Sequence, residues 1–169
     1  GVQTCALPIS QMDLNPTSKT ILIAPLNWGL GHATRCIPII KALQDNNYIP
    51  IIASDGIALD LLRKEFPYAQ FLKLPSYKIE HAKNGKNFKW RLLKNCPAMI
   101  RAIWTEKKKV AKWIEKHSID GIISDNRLGV YSNKIPSVFM THQLNVMTGN
   151  TTWITSKILQ NIHRSKYFI

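Results

Sequence analysis

Two glycines, a histidine and an arginine lie within seven residues of one another in Gly29-Leu30-Gly31-His32-Ala33-Thr34-Arg35, inside the stretch APLNWGLGHATR. Glycines let a backbone turn tightly and approach an anion, and the free N–H groups and positive dipole end of a helix starting there would face that anion. A turn of this kind holds a phosphate, or it joins strand to helix and binds nothing. On the first reading Asn27, Gly29, Gly31, Thr34 and Arg35 contact phosphate or substrate. The spacing Gly29-x-Gly31-x-x-Thr34 lacks the third glycine of the dinucleotide fingerprint, which weakens NAD as the ligand. His32 stands where the helix begins. There the dipole disfavours imidazolium, which suits a general base; the alternative is a solvent-facing polar side chain. Arg35 either pairs with phosphate or is an ordinary exposed helix arginine.

Two further polar groups follow apolar runs. Asp125, in Ser124-Asp125-Asn126-Arg127, either orients His32, contacts a sugar hydroxyl or caps a loop. His142 and Gln143, in MTHQLN, offer donors toward the same region or are satisfied structural groups. Cys5, Cys36 and Cys96 are odd in number and share no metal-ligand spacing. No Asp-x-Asp metal motif is present, so neither a metal nor a resident cofactor is expected.

The elements that must position these groups alternate. Thr20 to Pro25 predicts a strand, continuously apolar as a strand buried on both faces should be. A helix from His32 to Asp45 carries Ile37, Ile40, Ala42 and Leu43 on one side, with Asn46-Asn47 as its stop. Strand Pro50–Ser54, helix Ile57–Lys64 and strand Gln70–Leu74 follow. Pro97 is placed to open a helix running to Lys116, because its missing N–H costs nothing at the first position. Asp120–Ser124 and Ser137–Met140 read as further strands, and Ile154–His163 as a further helix. This rhythm predicts an α/β fold with a doubly wound, Rossmann-like parallel sheet. Ligands of such sheets bind beyond the carboxyl ends of the strands, where Asn27–Arg35, Ser54–Gly56, Ser124–Arg127 and Thr141–Asn145 all fall.

The chain carries 23 Lys and Arg against 10 Asp and Glu, a net charge of +13, which points to an anionic partner or surface. From Lys78 to Lys116 there are 12 basic residues and three glutamates, so this stretch holds +9 of that charge. Within it Lys83, Lys86, Lys89, Trp90 and Arg91 form a candidate contact surface for an acidic membrane or an anionic acceptor. The alternative is a solvated basic face, and Trp104 and Trp113 are assigned to the core. A nucleic-acid-binding domain ranks lower, because the charge clusters apart from the polar strand ends. No apolar run approaches the roughly 20 residues needed to span a bilayer. Cytoplasmic residence, with peripheral contact at the inner face of the membrane, is the expectation. Gly1–Ser10 resembles a translated sequencing adapter, so residues 1–18 are set aside as a non-native or disordered lead and 19–169 as the domain.

Strand, then NWGLGHATR, then helix, with IASDG after the second strand, resembles the N-terminal, acceptor-side lobe of GT-B glycosyltransferases. Within these it is most similar to the bacterial group related to the UDP-N-acetylglucosamine transferase of peptidoglycan synthesis. The stretch IPSVFMTHQLNVMTGNTTWITSKI strengthens the likeness, with its proline-led strand, polar cluster, glycine and tryptophan-bearing helix. The resemblance implies that Gly29, Gly31 and His32 lie at a cleft near the reacting phosphates, with His32 the base, and that His142, Gln143 and Asn145 face the same cleft. Leu30 in the loop and Leu144 within the polar cluster depart from the family pattern. It further implies inverting, metal-independent transfer of a hexosyl or N-acetylhexosaminyl group from a nucleotide-sugar, UDP-linked, to an acceptor hydroxyl, and the basic segment suits an acceptor that is lipid-linked or otherwise anionic. Such enzymes bind most of the donor in a second lobe, which this chain does not contain, so the chain alone is expected to be inactive. The competing expectation is a nucleotide- or NAD-binding Rossmann domain with Asp55 as the ribose ligand.

Overall fold

The computed structural model describes residues 18–77 and 88–141, the side chains of 88–96 excepted. Five strands, β1 (Thr20–Pro25), β2 (Ile49–Ser54), β3 (Gln70–Lys73), β4 (Ile119–Asp125) and β5 (Ser137–Met140), form one sheet in the order β3-β2-β1-β4-β5. Every neighbouring pair is parallel. Helices α1 (Leu30–Asp45), α2 (Gly56–Glu65) and α3 (Phe88–His117) make the connections β1 to β2, β2 to β3 and β3 to β4. The order reverses at β1, whose carboxyl end therefore borders the crevice that such sheets use.

The unbroken apolar character of β1 and β2 has a direct cause, since both faces of the sheet are covered. Leu22 and Ala24 of β1 join Ile51 and Ala53 of β2 in a core with Val110 of α3 and, half-buried, Trp113 and Ile114. Ile23 and Ile52 point the other way, onto Ala33, Cys36 and Ile40 of α1 and Ala58 and Leu62 of α2. Successive strand side chains alternate faces, so one apolar run serves two cores. The doubly wound sheet expected from the sequence is the one observed.

The helices differ from expectation in three places. The buried face of α1 is His32, Ala33, Cys36 and Ile40; Ile37 and Leu43 are half-buried and Ala42 is exposed. The buried stripe thus begins five residues earlier than expected, at His32. Second, α3 begins at Phe88, so Pro97 lies inside the helix and not at its start. Its ring is on the exposed side. Third, Trp104 is 67% exposed and Ile100 50%, because the buried face of α3 runs through Ala102, Glu106 and Val110, one helical turn apart. Trp104 belongs to the other side, and only Trp113 packs against the core as expected. The expected helix Ile154–His163 and the lead 1–17 lie outside the described residues. Among the described residues no helix is long and apolar enough to cross a membrane.

Candidate active site at the carboxyl ends of the strands

The register of β1 on β4 pairs Pro25 with Asp125 at the last rung of both strands. The next residue keeps the two ends together, as the Leu26 N–H donates to the Asp125 carbonyl at 2.9 Å. The chain then turns through Gly29, at φ +81°. That left-handed conformation is disfavoured for side-chain-bearing residues, which is the physical demand behind this glycine. No side chain caps the start of α1, and its first turn holds no acidic residue. The amides there keep the positive end of the helix dipole available to an anion. A Cβ at Gly31 would meet nothing within 4 Å, so that position faces open space.

Three residues predicted from two separate motifs converge here. His32, buried in the first turn of α1, places Nδ1 3.0 Å from Oδ2 of the fully buried Asp125. Arg35, one turn along, donates from Nη2 to Oδ1 at 2.5 Å and from Nε to Oδ2 at 3.3 Å. Its side chain is 39% exposed. Burial acts to raise the Asp125 carboxyl, but the hydrogen bonds of His32 and Arg35 and the electrostatic pull of both outweigh it and hold the group below the usual carboxylate range. Asp125 therefore stands ionised at neutral pH. Its 3.0 Å contact with His32 Nδ1 is the one that orienting the ring would require. Beneath the cluster the Cys36 thiol is pushed up to about 12, by burial first and then by the charge of Asp125. It packs as an apolar group and is inert as a nucleophile.

The neighbouring polar residues make hydrogen bonds within the fold. Asn27 donates from Nδ2 to Asp55 Oδ2 at 3.2 Å and accepts the Ala58 N–H on Oδ1 at 3.3 Å, holding the first turn of α2. A Cβ on Gly56, itself at φ +52°, would collide with the Asn27 amide. Asn27 thus acts as a helix cap, the residue it holds being at the β2 strand end. Thr34 is exposed and its hydroxyl donates to the Gly31 carbonyl at 3.1 Å. Asp55 makes an ion pair with Nη2 of Arg127, so the carboxylate that would serve as a ribose ligand already holds a buried cation and Asn27. Ser54 and Ser124 donate to the carbonyls of Pro25 and Arg127.

Sequence reasoning missed the network around Arg127. This fully buried guanidinium donates from Nη1 to Glu106 Oε1 at 2.6 Å and from Nε to the Pro25 carbonyl at 3.0 Å. It also reaches the Pro75 carbonyl at 3.2 Å. Glu106 accepts the Tyr77 hydroxyl at 2.6 Å and the Gly129 N–H at 3.1 Å on its other oxygen. Burial pushes both the Glu106 carboxyl and the Tyr77 phenol up. A Cβ on Gly129 would strike the Ile103 carbonyl and Glu106, so the glycine is what lets α3 approach. The signal was present in the sequence: Glu106 is the lone acidic residue on the stripe Ala102-Glu106-Val110.

His142, Gln143 and Asn145 lie outside the described residues, as do Lys83 and Lys86. Lys89, Trp90 and Arg91 fall in the opening turns of α3, and their side chains lie outside the description. Among the described residues no group of three or more His, Cys, Asp or Glu side chains could hold a metal ion.

A Rossmann-like parallel sheet with this strand order and strand-end crevice is the architecture of a lobe of GT-B glycosyltransferases. Solved glycosyltransferase structures are among those that share it. The calicheamicin glycosyltransferase CalG4 superposes with a TM-score of 0.55 at 12% identity over 86% of this chain and 37% of its own. A glycosyltransferase from Rickettsia africae gives 0.51 at 19% identity, over 80% and 32%. UGT2 of Phytolacca americana, complexed with UDP-2fluoro-glucose and pterostilbene, gives 0.52 at 16% identity, over 72% and 30%. The chain thus spans about a third of the length of these structures. No protein-family model matches the sequence, and no curated protein matches it.

Proposed function

We propose that this chain is the N-terminal, acceptor-side part of a glycosyltransferase that moves a hexosyl or N-acetylhexosaminyl group from a UDP-linked sugar to an acceptor hydroxyl, with inversion and without a metal. The observation that carries this reading is the His32–Asp125 pair at 3.0 Å, seated at the uncapped start of α1 beside the switch point of the sheet. Asp125, ionised and buried, fixes the proton of His32 on Nδ1 and stabilises the imidazolium that forms when Nε2 takes the acceptor proton. The acceptor oxygen then bonds to the anomeric carbon as the bond from that carbon to the donor phosphate breaks. The leaving diphosphate gains charge, which in this reading the amides of Gly29 to Gly31 and the guanidinium of Arg35 stabilise. A single displacement of this kind inverts the anomeric centre.

The UDP-sugar assignment is supported by the fold shared with the Phytolacca enzyme and by the narrower sequence likeness to UDP-N-acetylglucosamine transferases. In this reading His142, Gln143 and Asn145 complete the cleft. The basic stretch 78–116 docks the lobe on an acidic membrane or an anionic lipid-linked acceptor; the exposed Ile100 and Trp104, beside exposed Arg101, Lys107 and Lys108, support such a surface. Sugar transfer by the enzyme with both lobes is the measurement. His32→Ala is expected to lower it by about 10²-fold or more with folding intact. Activity within about threefold of the parent would remove His32 from the role of base.

A further inference from the structure

Along β4 the side chains alternate between the two layers of helices. Ile122 packs with Val110 of α3 and Ile123 with the residues of α1 and α2. Ser124 therefore falls on the α3 side and Asp125 on the α1 side, against His32 and Arg35. A strand continued by two residues would carry the side chain of residue 127 to the α1 side as well. Arg127 instead reaches Glu106 of α3 and Asp55 at the end of β2. The reversal falls at Asn126, whose φ is +58°. Its N–H donates to the Met140 carbonyl of β5 at 3.1 Å, and Ser124 Oγ donates to the Arg127 carbonyl at 2.7 Å, so the turn is anchored on both sides.

Without that reversal the guanidinium of Arg127 would enter the layer that already holds Arg35 and His32, and Asp55 and Glu106 would lose their buried cation. Crowding like charges and leaving buried carboxylates unpaired are both costly. One residue therefore keeps two ion clusters apart. We infer that Asn126 is a positioning residue for the transfer reaction, acting through Asp125: its left-handed backbone turns Arg127 away from the α1 layer and leaves Asp125 to His32 and Arg35. Asn enters this region more readily than most residues that carry a side chain, whereas a β-branched residue there is an outlier. The Asn126 side chain is half-exposed, so a substitution acts on the backbone more than on packing. The proposal rests on the transfer reading for its purpose, though the placement of Asp125 does not.

The test reads the Asp125 carboxyl directly, by carbon NMR of the chain labelled at its aspartate carboxyls, with the Asp125 signal assigned by Asp125→Asn. Among the described residues the titratable or charged groups that face it are His32, Arg35 and Cys36 of α1, while β1 and β5 place Pro25 and Met140 beside it. Asn126→Val is expected to raise the titration midpoint of Asp125 by about one pH unit, the low end of what a nearby opposite charge supplies. Asn126→Ala, less averse to a positive φ, should give a smaller rise and carries the test where the valine chain does not fold. Asn126→Gly adopts the turn freely and should restore the parent midpoint. A folded valine or alanine variant that loses stability while Asp125 titrates as in the parent overturns the proposal, because the turn would then be structural only. A glycine variant shifted as far as the valine one also overturns it, since the carboxamide and not the backbone would be responsible. In the enzyme with both lobes, Asn126→Val should lower kcat by about tenfold, a part of what a general base provides, and glycine should restore it. A shifted Asp125 with undiminished kcat would remove Asn126 from the reaction. A shifted Asp125 beside a two-lobed parent that transfers no sugar would refute the transfer reading and keep the placement.

Discussion

Asp125 is the residue on which the site turns, since it ties the end of β4 to the side chains of His32 and Arg35 on α1. Its lowered carboxyl gives the fold a defined response to acid. A group whose folded value is depressed contributes stability above the ordinary carboxylate value, and that contribution is lost as pH falls through the folded value. Asp125→Asn keeps the shape and removes the charge, so it is expected to cost about 2 kcal/mol at pH 7. The difference between parent and variant should close as the pH drops below about 4. Urea denaturation across that range measures it; a constant difference would show that Asp125 contributes packing and not charge. The types of His32, Asp125 and Arg35 were legible from the sequence, as was their position at strand ends. Their mutual geometry was not, because Asp125 lies 93 residues beyond His32 and a one-residue change in β1–β4 register would turn it to the other face.

Among the elements, α3 departs most from its sequence reading. A proline preceded by a loose, turn-rich stretch reads as a helix start, yet the helix includes nine residues before Pro97. The two alternatives have opposite energetic signs. At a first helical position proline is favourable, whereas inside a helix it forfeits a backbone hydrogen bond at about 3 kcal/mol relative to alanine. Part of that is offset by the stiffer unfolded chain. Pro97→Ala is therefore expected to stabilise the chain by about 1–2 kcal/mol, and a neutral or destabilising result would place the helix start at Pro97 after all. The rotation of α3 was misjudged for a related reason. Trp104 and Ile100 are the larger apolar side chains, but the helix turns Ala102, Glu106 and Val110 inward because Arg127 and Gly129 await Glu106 there. Where a charged residue pairs beneath a helix, hydrophobicity alone assigns the wrong face.

For the whole molecule, Arg127 is the tie between the layers: it binds the ends of β1 and β2, the segment after β3, and α3. Removing a buried cation while leaving its carboxylates is costly, about 3–5 kcal/mol, so Arg127→Met is expected to lose that much stability. By contrast Lys134→Ala, at the solvent-exposed pair with Glu115, should stay within about 0.5 kcal/mol of the parent. Chemical denaturation of both variants checks the contrast; a loss under about 1 kcal/mol at Arg127 would mean that the network is not a structural tie. The same network holds Asp55 and, through it, Asn27. By itself the sequence determined the order of strands and helices, the parallel sheet and the end of it where chemistry gathers, since hydrophobic periodicity and turn residues act over a few neighbours. The tertiary structure decided which strand-end groups pair with one another and which face the crevice. Charge pairing and register act between residues tens of positions apart, and only the packed layers bring His32 to Asp125 and bury Arg127 between two carboxylates.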